Sequence, residues 1–203
     1  MGRVINPGAH LIDFFWDAKI DGYAMGESFI DPSVGEDISG ELATAGFLVD
    51  YTELMPTDLF QATGMRVAGL LHGKLNEVLC NIEGTSKNHI PLFSVRVFGP
   101  GQYGTTVHRN HPSVGPWAVG VTLKGEAPFN VYADDQLSGF ETIPLMGDET
   151  DPEPLDSMTA GAGSLWTLYT RNELVPHSSG LVNSQTQREL LIFYATANYG
   201  STS

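Results

Sequence analysis

LFSVRVFGPGQYGTTVHRN, residues 92–110, decides the fold. Phe93, Val95 and Val97 alternate with Ser94 and Arg96, the period of two that marks a half-buried β-strand. GPGQYG (99–104) is a turn, and TTVHRN (105–110) resumes the strand and ends it on a histidine. Downstream, WAVGVTL (117–123), FNVYA (129–133), SLWTLYT (164–170) and ELLIFYATA (189–197) are further strands, separated by Gly, Pro, Asn and Asp. GDETDPEPLD (147–156) reads as an acidic, solvated loop. Upstream the period changes. Leu59, Phe60, Met65, Val67, Ala68, Leu70, Leu71, Leu75, Val78 and Leu79 recur at helical spacing, which predicts a helix over 57–79 with Thr57 as cap. Gly64, Gly69 and Gly73 are places where that helix can break. The first 50 residues are mixed, with a short helical pattern after the turn residues near Asp31. Together these elements predict one mainly β domain over 1–203: a helical N-terminal support (1–90) packed on an antiparallel β-sandwich or barrel (91–203). Small barrels of this kind hold ligands in their mouths.

Composition narrows the function. The 23 Gly and 12 Pro exclude a helical bundle, and recurring apolar runs exclude disorder. A net charge of -14 repels phosphate backbones and anionic lipid, so neither nucleic acid nor membrane is an expected partner, although a local basic pocket can still take a small acid. Cys80 is the sole cysteine, which forbids an internal disulfide and fits a reducing compartment such as the cytoplasm. The segment from Met1 to Asp13 lacks the pattern of a signal peptide, and no apolar stretch approaches the ~20 residues of a spanning helix.

Of six histidines, His10, His72 and His89 have no partner at a recognisable spacing. His108 ends a strand after a glycine turn, and His177 follows SLWTLYT. Two such histidines meeting across a barrel can bind a metal through neutral imidazole. Eleven residues after His177, Arg188 opens the next strand. An inward guanidinium there is costly without a partner and matches a carboxylate, so the combination predicts an acid ligand beside a metal.

HSSGLVNSQTQRELLIFY (177–194) resembles the C-terminal signature of the phytanoyl-CoA dioxygenase-like family, which are Fe(II)- and 2-oxoglutarate-dependent oxygenases. The matching residues are His177, Ser179, Gly180, Asn183, Ser184, Arg188 and Tyr194, with Asn183 one place later than the family pattern. HRNHPSVGPWAVGVTLKG sits where the family carries His-x-Asp and a strand. The resemblance implies a double-stranded β-helix (a jelly-roll, cupin-like barrel) and three metal positions at His108, Asn110 and His177. It further implies that Arg188 pairs with the distal carboxylate of 2-oxoglutarate, assisted by Ser179. The implied reaction consumes molecular oxygen, decarboxylates 2-oxoglutarate to succinate and hydroxylates a small molecule. A facial triad leaves the open positions this chemistry needs.

Asn110 departs from that pattern, since the family has Asp two residues after the first His. An amide oxygen is neutral, so iron affinity should fall. Four explanations compete: weak ligation by Asn110 in a working enzyme, an engineered Asp-to-Asn change that traps an inactive complex, loss of catalysis that leaves a binding protein, or a halide in the ligand position, as in related halogenases, which generally carry Ala or Gly there. His111, Asp134 and Asp135 are weaker candidates to replace the carboxylate. Tyr103, Trp117, Arg96 and Arg171 are candidates to line the mouth and meet substrate, each with a plainer role as core, turn or surface. A cupin with another metal set ranks third, because cupins place two His one residue apart with a carboxylate soon after, and here no Glu follows until Glu126.

Overall fold

A computed structural model describes residues 4–6, 9–110, 115–138, 141–147, 149–169, 175–182, 185 and 187–195. Its helices are α1 (Leu11–Asp21), α2 (Pro32–Thr44), α3 (Leu59–Ala62) and α4 (Arg66–Glu83). Its strands are β1 (Tyr23–Gly26), β2 (Met55–Pro56), β3 (Leu92–Phe98), β4 (Tyr103–His108), β5 (Trp117–Lys124), β6 (Ala127–Val131), β7 (Asp156–Ala160), β8 (Leu165–Tyr169), β9 (His177–Leu181) and β10 (Arg188–Tyr194). They form two antiparallel sheets, a major one in the order β1-β8-β5-β10-β3-β2 and a minor one in the order β4-β9-β6-β7. This is a jelly-roll with flanking helices. The barrel is not closed, because among the described residues no ladder joins the two sheets.

The helices start and stop for local reasons. α2 begins at Pro32, with Asp31 Oδ1 accepting a hydrogen bond from the Ser33 amide at 2.9 Å. The expected single helix over 57–79 is two helices, α3 and α4. They are separated at Gly64, whose φ of 77° favours a residue without Cβ, and α4 runs on to Glu83. Thr57 does not cap. Asp58 holds the N-cap position, and the Thr57 hydroxyl accepts instead from Asn88 Nδ2 at 3.4 Å. The start of α4 is served from another helix: the Glu41 carboxylate accepts from the Val67 and Ala68 amides at 2.9–3.0 Å, at the positive end of the α4 dipole.

The first 90 residues are not purely helical. β1 pairs with β8 and β2 with β3, so this part extends the major sheet. β7 continues from the acidic loop, where a strand was not expected. One face of the major sheet carries Phe93, Val95, Val119, Val121, Leu191 and Phe193, buried against Phe15, Ile38, Leu42, Leu71 and Leu75 of the helices. Its other face, with Leu190, Ile192, Tyr194 and Trp166, looks toward Phe129 and Val131 of the minor sheet.

Candidate functional site

The site lies between the sheets. β4 and β9 pair with Thr105 opposite Ser179 and His108 opposite His177. Three residues of β4 thus span two of β9, a bulge between Thr105 and His108. Side chains alternate along a strand, so without the extra residue His108 would point away from Thr105. With it, Thr105, His108, His177 and Ser179 all line one pocket. The Ser179 amide donates to Thr105 Oγ1 at 2.7 Å and ties the two strands above the bulge. The structure corrects the place of His177, which opens β9 rather than closing a strand.

The two imidazole rings lie 4.3 Å apart between centroids. In each, Nδ1 contacts the backbone carbonyl two residues back: Thr106 O at 2.8 Å for His108 and Val175 O at 2.9 Å for His177. A carbonyl only accepts, so Nδ1 carries the proton and Nε2 keeps its lone pair, the arrangement that presents Nε2 to a metal. The environment favours the neutral form. Phe129 stacks on His177 at 5.9 Å and on Trp166 at 4.5 Å, walling that end of the pocket with aromatic rings. Burial, aided by the neighbouring His108, pushes the His177 pKa down to about 3, against the opposing effect of the Val175 carbonyl. Burial also lowers His108, and the positive charge of Arg96 lowers it further.

Arg188 opens β10 and is fully buried. Its Nη1 donates to Ser179 Oγ. Nε and Nη2, the parallel pair on one edge of the guanidinium, have no partner among the described residues. Burial lowers its pKa to about 10, so the group stays charged at neutral pH. A buried charged fork with one edge unmet is built for a carboxylate.

The pocket and the open space at its mouth together make up about 480 Å³. Asn110 lines it, together with both histidines and Arg188. Gly120 makes room for the Trp166 indole, because a Cβ there would sit 2.0 Å from its ring. Among the described residues no three His, Cys, Asp or Glu side chains gather as a metal site. Among the described lining residues the donors available to a metal are two neutral imidazoles and the Asn110 amide. Imidazole suits a borderline divalent ion such as Fe(II), so the residues fit one, with less negative charge than a carboxylate would supply.

Asp134 and Asp135 lie in a short 3-10 turn, where Asp134 Oδ1 accepts from Arg109 Nη1 at 2.6 Å and is committed to holding the loop. His111, Arg171, Asn183 and Ser184 fall outside the described residues. Arg96 lines the pocket, as expected. Trp117 does not. It faces the helices, edge-on to Phe15 at 5.6 Å and against Tyr169 at 4.5 Å, because odd positions of β5 belong to the helical core. Tyr103 lies at the far end of β4 opposite Leu181, 38% exposed and away from the pocket. Sequence reading missed Thr105, hidden by the bulge, and the aromatic wall of Phe129 and Trp166. It also passed over Leu190 and Ile192, which period two counted from Arg188 would have found. His72 is structural, its Nε2 at 3.1 Å from Ile90 O and its ring beside Phe193.

No family model matches the sequence, and no curated protein does. Solved structures match it in fold. A prolyl-4-hydroxylase from Pseudomonas putida aligns over 100% of both chains, with 11% identity and a TM-score of 0.60. HygX from Streptomyces hygroscopicus, solved with nickel and 2-oxoglutarate bound, aligns over 92% of this chain and 86% of its own, with 14% identity and a TM-score of 0.59. An oxidoreductase of the 2OG-Fe(II) oxygenase family from Burkholderia pseudomallei aligns over 95% and 92%, with 12% identity and a TM-score of 0.57.

Proposed function

We propose that the chain is an Fe(II)/2-oxoglutarate-dependent oxygenase that hydroxylates a small molecule, converting it with O2 and 2-oxoglutarate into the alcohol, CO2 and succinate. The carrying observation is that one pocket holds two imidazole Nε2 lone pairs and the unmet edge of the buried Arg188. The likeness in fold to the HygX complex with nickel and 2-oxoglutarate supports the same reading. The spacing from His177 to Arg188 favours the phytanoyl-CoA dioxygenase-like branch, and the lone Cys80 favours the cytoplasm.

In this reading His108, His177 and Asn110 hold the iron. Arg188, oriented by Ser179, takes the distal carboxylate of 2-oxoglutarate as a bidentate pair. The bound metal supplies the activation of O2. The protein supplies positioning: Nδ1–H bonds to Thr106 and Val175 fix each ring, and Phe129 and Trp166 keep water from that side. Mn(II) with 2-oxoglutarate should raise the thermal stability of the wild type by mass action and leave His177→Ala unmoved. Succinate release coupled to O2 uptake with Fe(II) then tests turnover. No metal-dependent response to 2-oxoglutarate in the wild type would overturn the assignment.

Asn110 supports a second reading, a catalytically impaired protein of the same fold that binds 2-oxoglutarate or another acid. It predicts metal-dependent binding without succinate.

A further inference from the structure

We propose that the molecule bound for oxidation is an anion, held by Arg96 through a carboxylate, sulfate or phosphate group. This rests on the oxygenase reading and names its substrate class.

Arg96 lies on β3 opposite Leu190, while Arg188 lies on β10 opposite Phe98. The two arginines are therefore diagonal neighbours one pleat apart on the same face, and both side chains line the pocket. Arg96 has the marks of a held but unused fork. Its guanidinium lies 4.3 Å from the centre of the Tyr51 ring. Stacking uses the face of the group and leaves its in-plane N–H bonds for an acceptor. Its Nε is buried without a partner, and among the described residues no carboxylate pairs with it. Arg109 shows the contrast, committed to Asp134 and to the Leu137 carbonyl.

Charge balance carries the inference further. The chain has a net charge of -14, yet among the described residues no Asp or Glu lines the pocket. A divalent ion with Arg96 and Arg188 brings four formal positive charges. 2-Oxoglutarate answers two of them, and Asn110 answers none where a carboxylate would answer one. Uncompensated charge in an enclosed site is unfavourable, so a further anion completes it. With Arg188 taken by the distal carboxylate, Arg96 is the fork left for that anion. The lining near the two arginines, Phe98, Leu190, Ile192 and Tyr194, suits an apolar body behind the charged group.

The test uses the full chain with saturating Mn(II) and 2-oxoglutarate. Sodium sulfate and sodium acetate are titrated at low concentration against sodium chloride of equal ionic strength, with thermal stability as readout. 2-Oxoglutarate affinity is measured separately by calorimetry. The expected result is a saturable stabilisation by sulfate or acetate in the wild type, absent in Arg96→Gln. Arg96→Lys, which keeps the charge and loses the fork, should retain a weaker shift. Arg96→Gln should bind 2-oxoglutarate within about threefold of wild type, well under the tenfold step that marks a lost anchor. Loss of 2-oxoglutarate affinity by about tenfold or more in Arg96→Gln would assign this arginine to the co-substrate and overturn the proposal. Equal shifts with chloride, or none with any anion, would also overturn it. Failure of the oxygenase reading shows separately, as absence of Mn(II)-dependent 2-oxoglutarate binding in the wild type.

Discussion

β10 has two faces that do different work. Leu191 and Phe193 point to the helices and are fully buried among apolar side chains, Phe193 lying 5.6 Å from the His72 ring and 6.2 Å from the Phe60 ring. Arg188, Leu190, Ile192 and Tyr194 point the other way and line the pocket, where Arg188 leaves two nitrogens unmet. The same seven residues thus face the helical core at odd positions and the pocket at even ones. The alternation of a strand lets both coexist without sharing an atom. One face is complete and contributes to folding, while the other is the face that takes a ligand in the proposed reading.

The largest effect should come from the complete face. Phe193→Ala should destabilise the protein by about 3–5 kcal/mol, from lost burial plus the cavity left behind. Its 2-oxoglutarate affinity, measured below the unfolding transition, should stay near wild type. If affinity falls while stability holds, the two faces are not separable.

Arg188→Met tests the incomplete face. Loss of the buried charged pair should weaken 2-oxoglutarate binding by about 2–5 kcal/mol. The ligand-free protein should be no less stable, because the substitution removes an unpaired buried charge and leaves an apolar side chain of similar length. A drop in ligand-free stability as large as that of Phe193→Ala would make Arg188 a structural residue.

pH sharpens the contrast further. The folded pKa of His177 is about 3, below the ordinary histidine value of 6.5, so below pH 6.5 the unfolded chain binds a proton that the folded one does not. Its contribution is fully present above about pH 6.5 and is lost as pH falls toward 3. Between pH 7 and pH 5 that loss is about 2 kcal/mol. His108 and, on the helix face, His72 are shifted the same way by burial. Metal-free His177→Gln should lose less stability than wild type over this range, measured by denaturant titration at each pH. His72→Gln should flatten the profile less, because His72 is the less buried of the two. Equal flattening by both would place the acid sensitivity on neither face in particular.

Much of the sheet was legible from short apolar runs between turn residues. β3 announces itself by period two, whereas β5 and β10 show as continuous runs of apolar, β-branched and aromatic residues. The pairing of His108, His177 and Arg188 was legible for the same reason, since each sits at a strand end in a turn-rich context. Trp117 was misplaced because a strand buried on both faces carries no polar mark of which side is which. Thr105 was missed because a bulge breaks parity, and nothing local in TTVHRN signals the extra residue. β1 and β2 were hidden by being short and by lying among helices, where only their pairing partners, far along the chain, make them strands. Asn110 was visible at once, but its consequence depends on the charge around it, which the fold sets.

Asn110→Asp has the smallest expected effect on the fold and the sharpest meaning for the site. The residue lines the same pocket as both histidines and both arginines, so a carboxylate there adds one negative charge among two imidazoles and two guanidinium groups. Mn(II) affinity should rise about tenfold, roughly 1.4 kcal/mol, with ligand-free stability nearly unchanged. If succinate release rises with affinity, the pocket is intact and the amide alone limits it, which favours an enzyme. If affinity rises and succinate stays absent, the remaining groups no longer support turnover, and the unmet face of β10 serves binding alone.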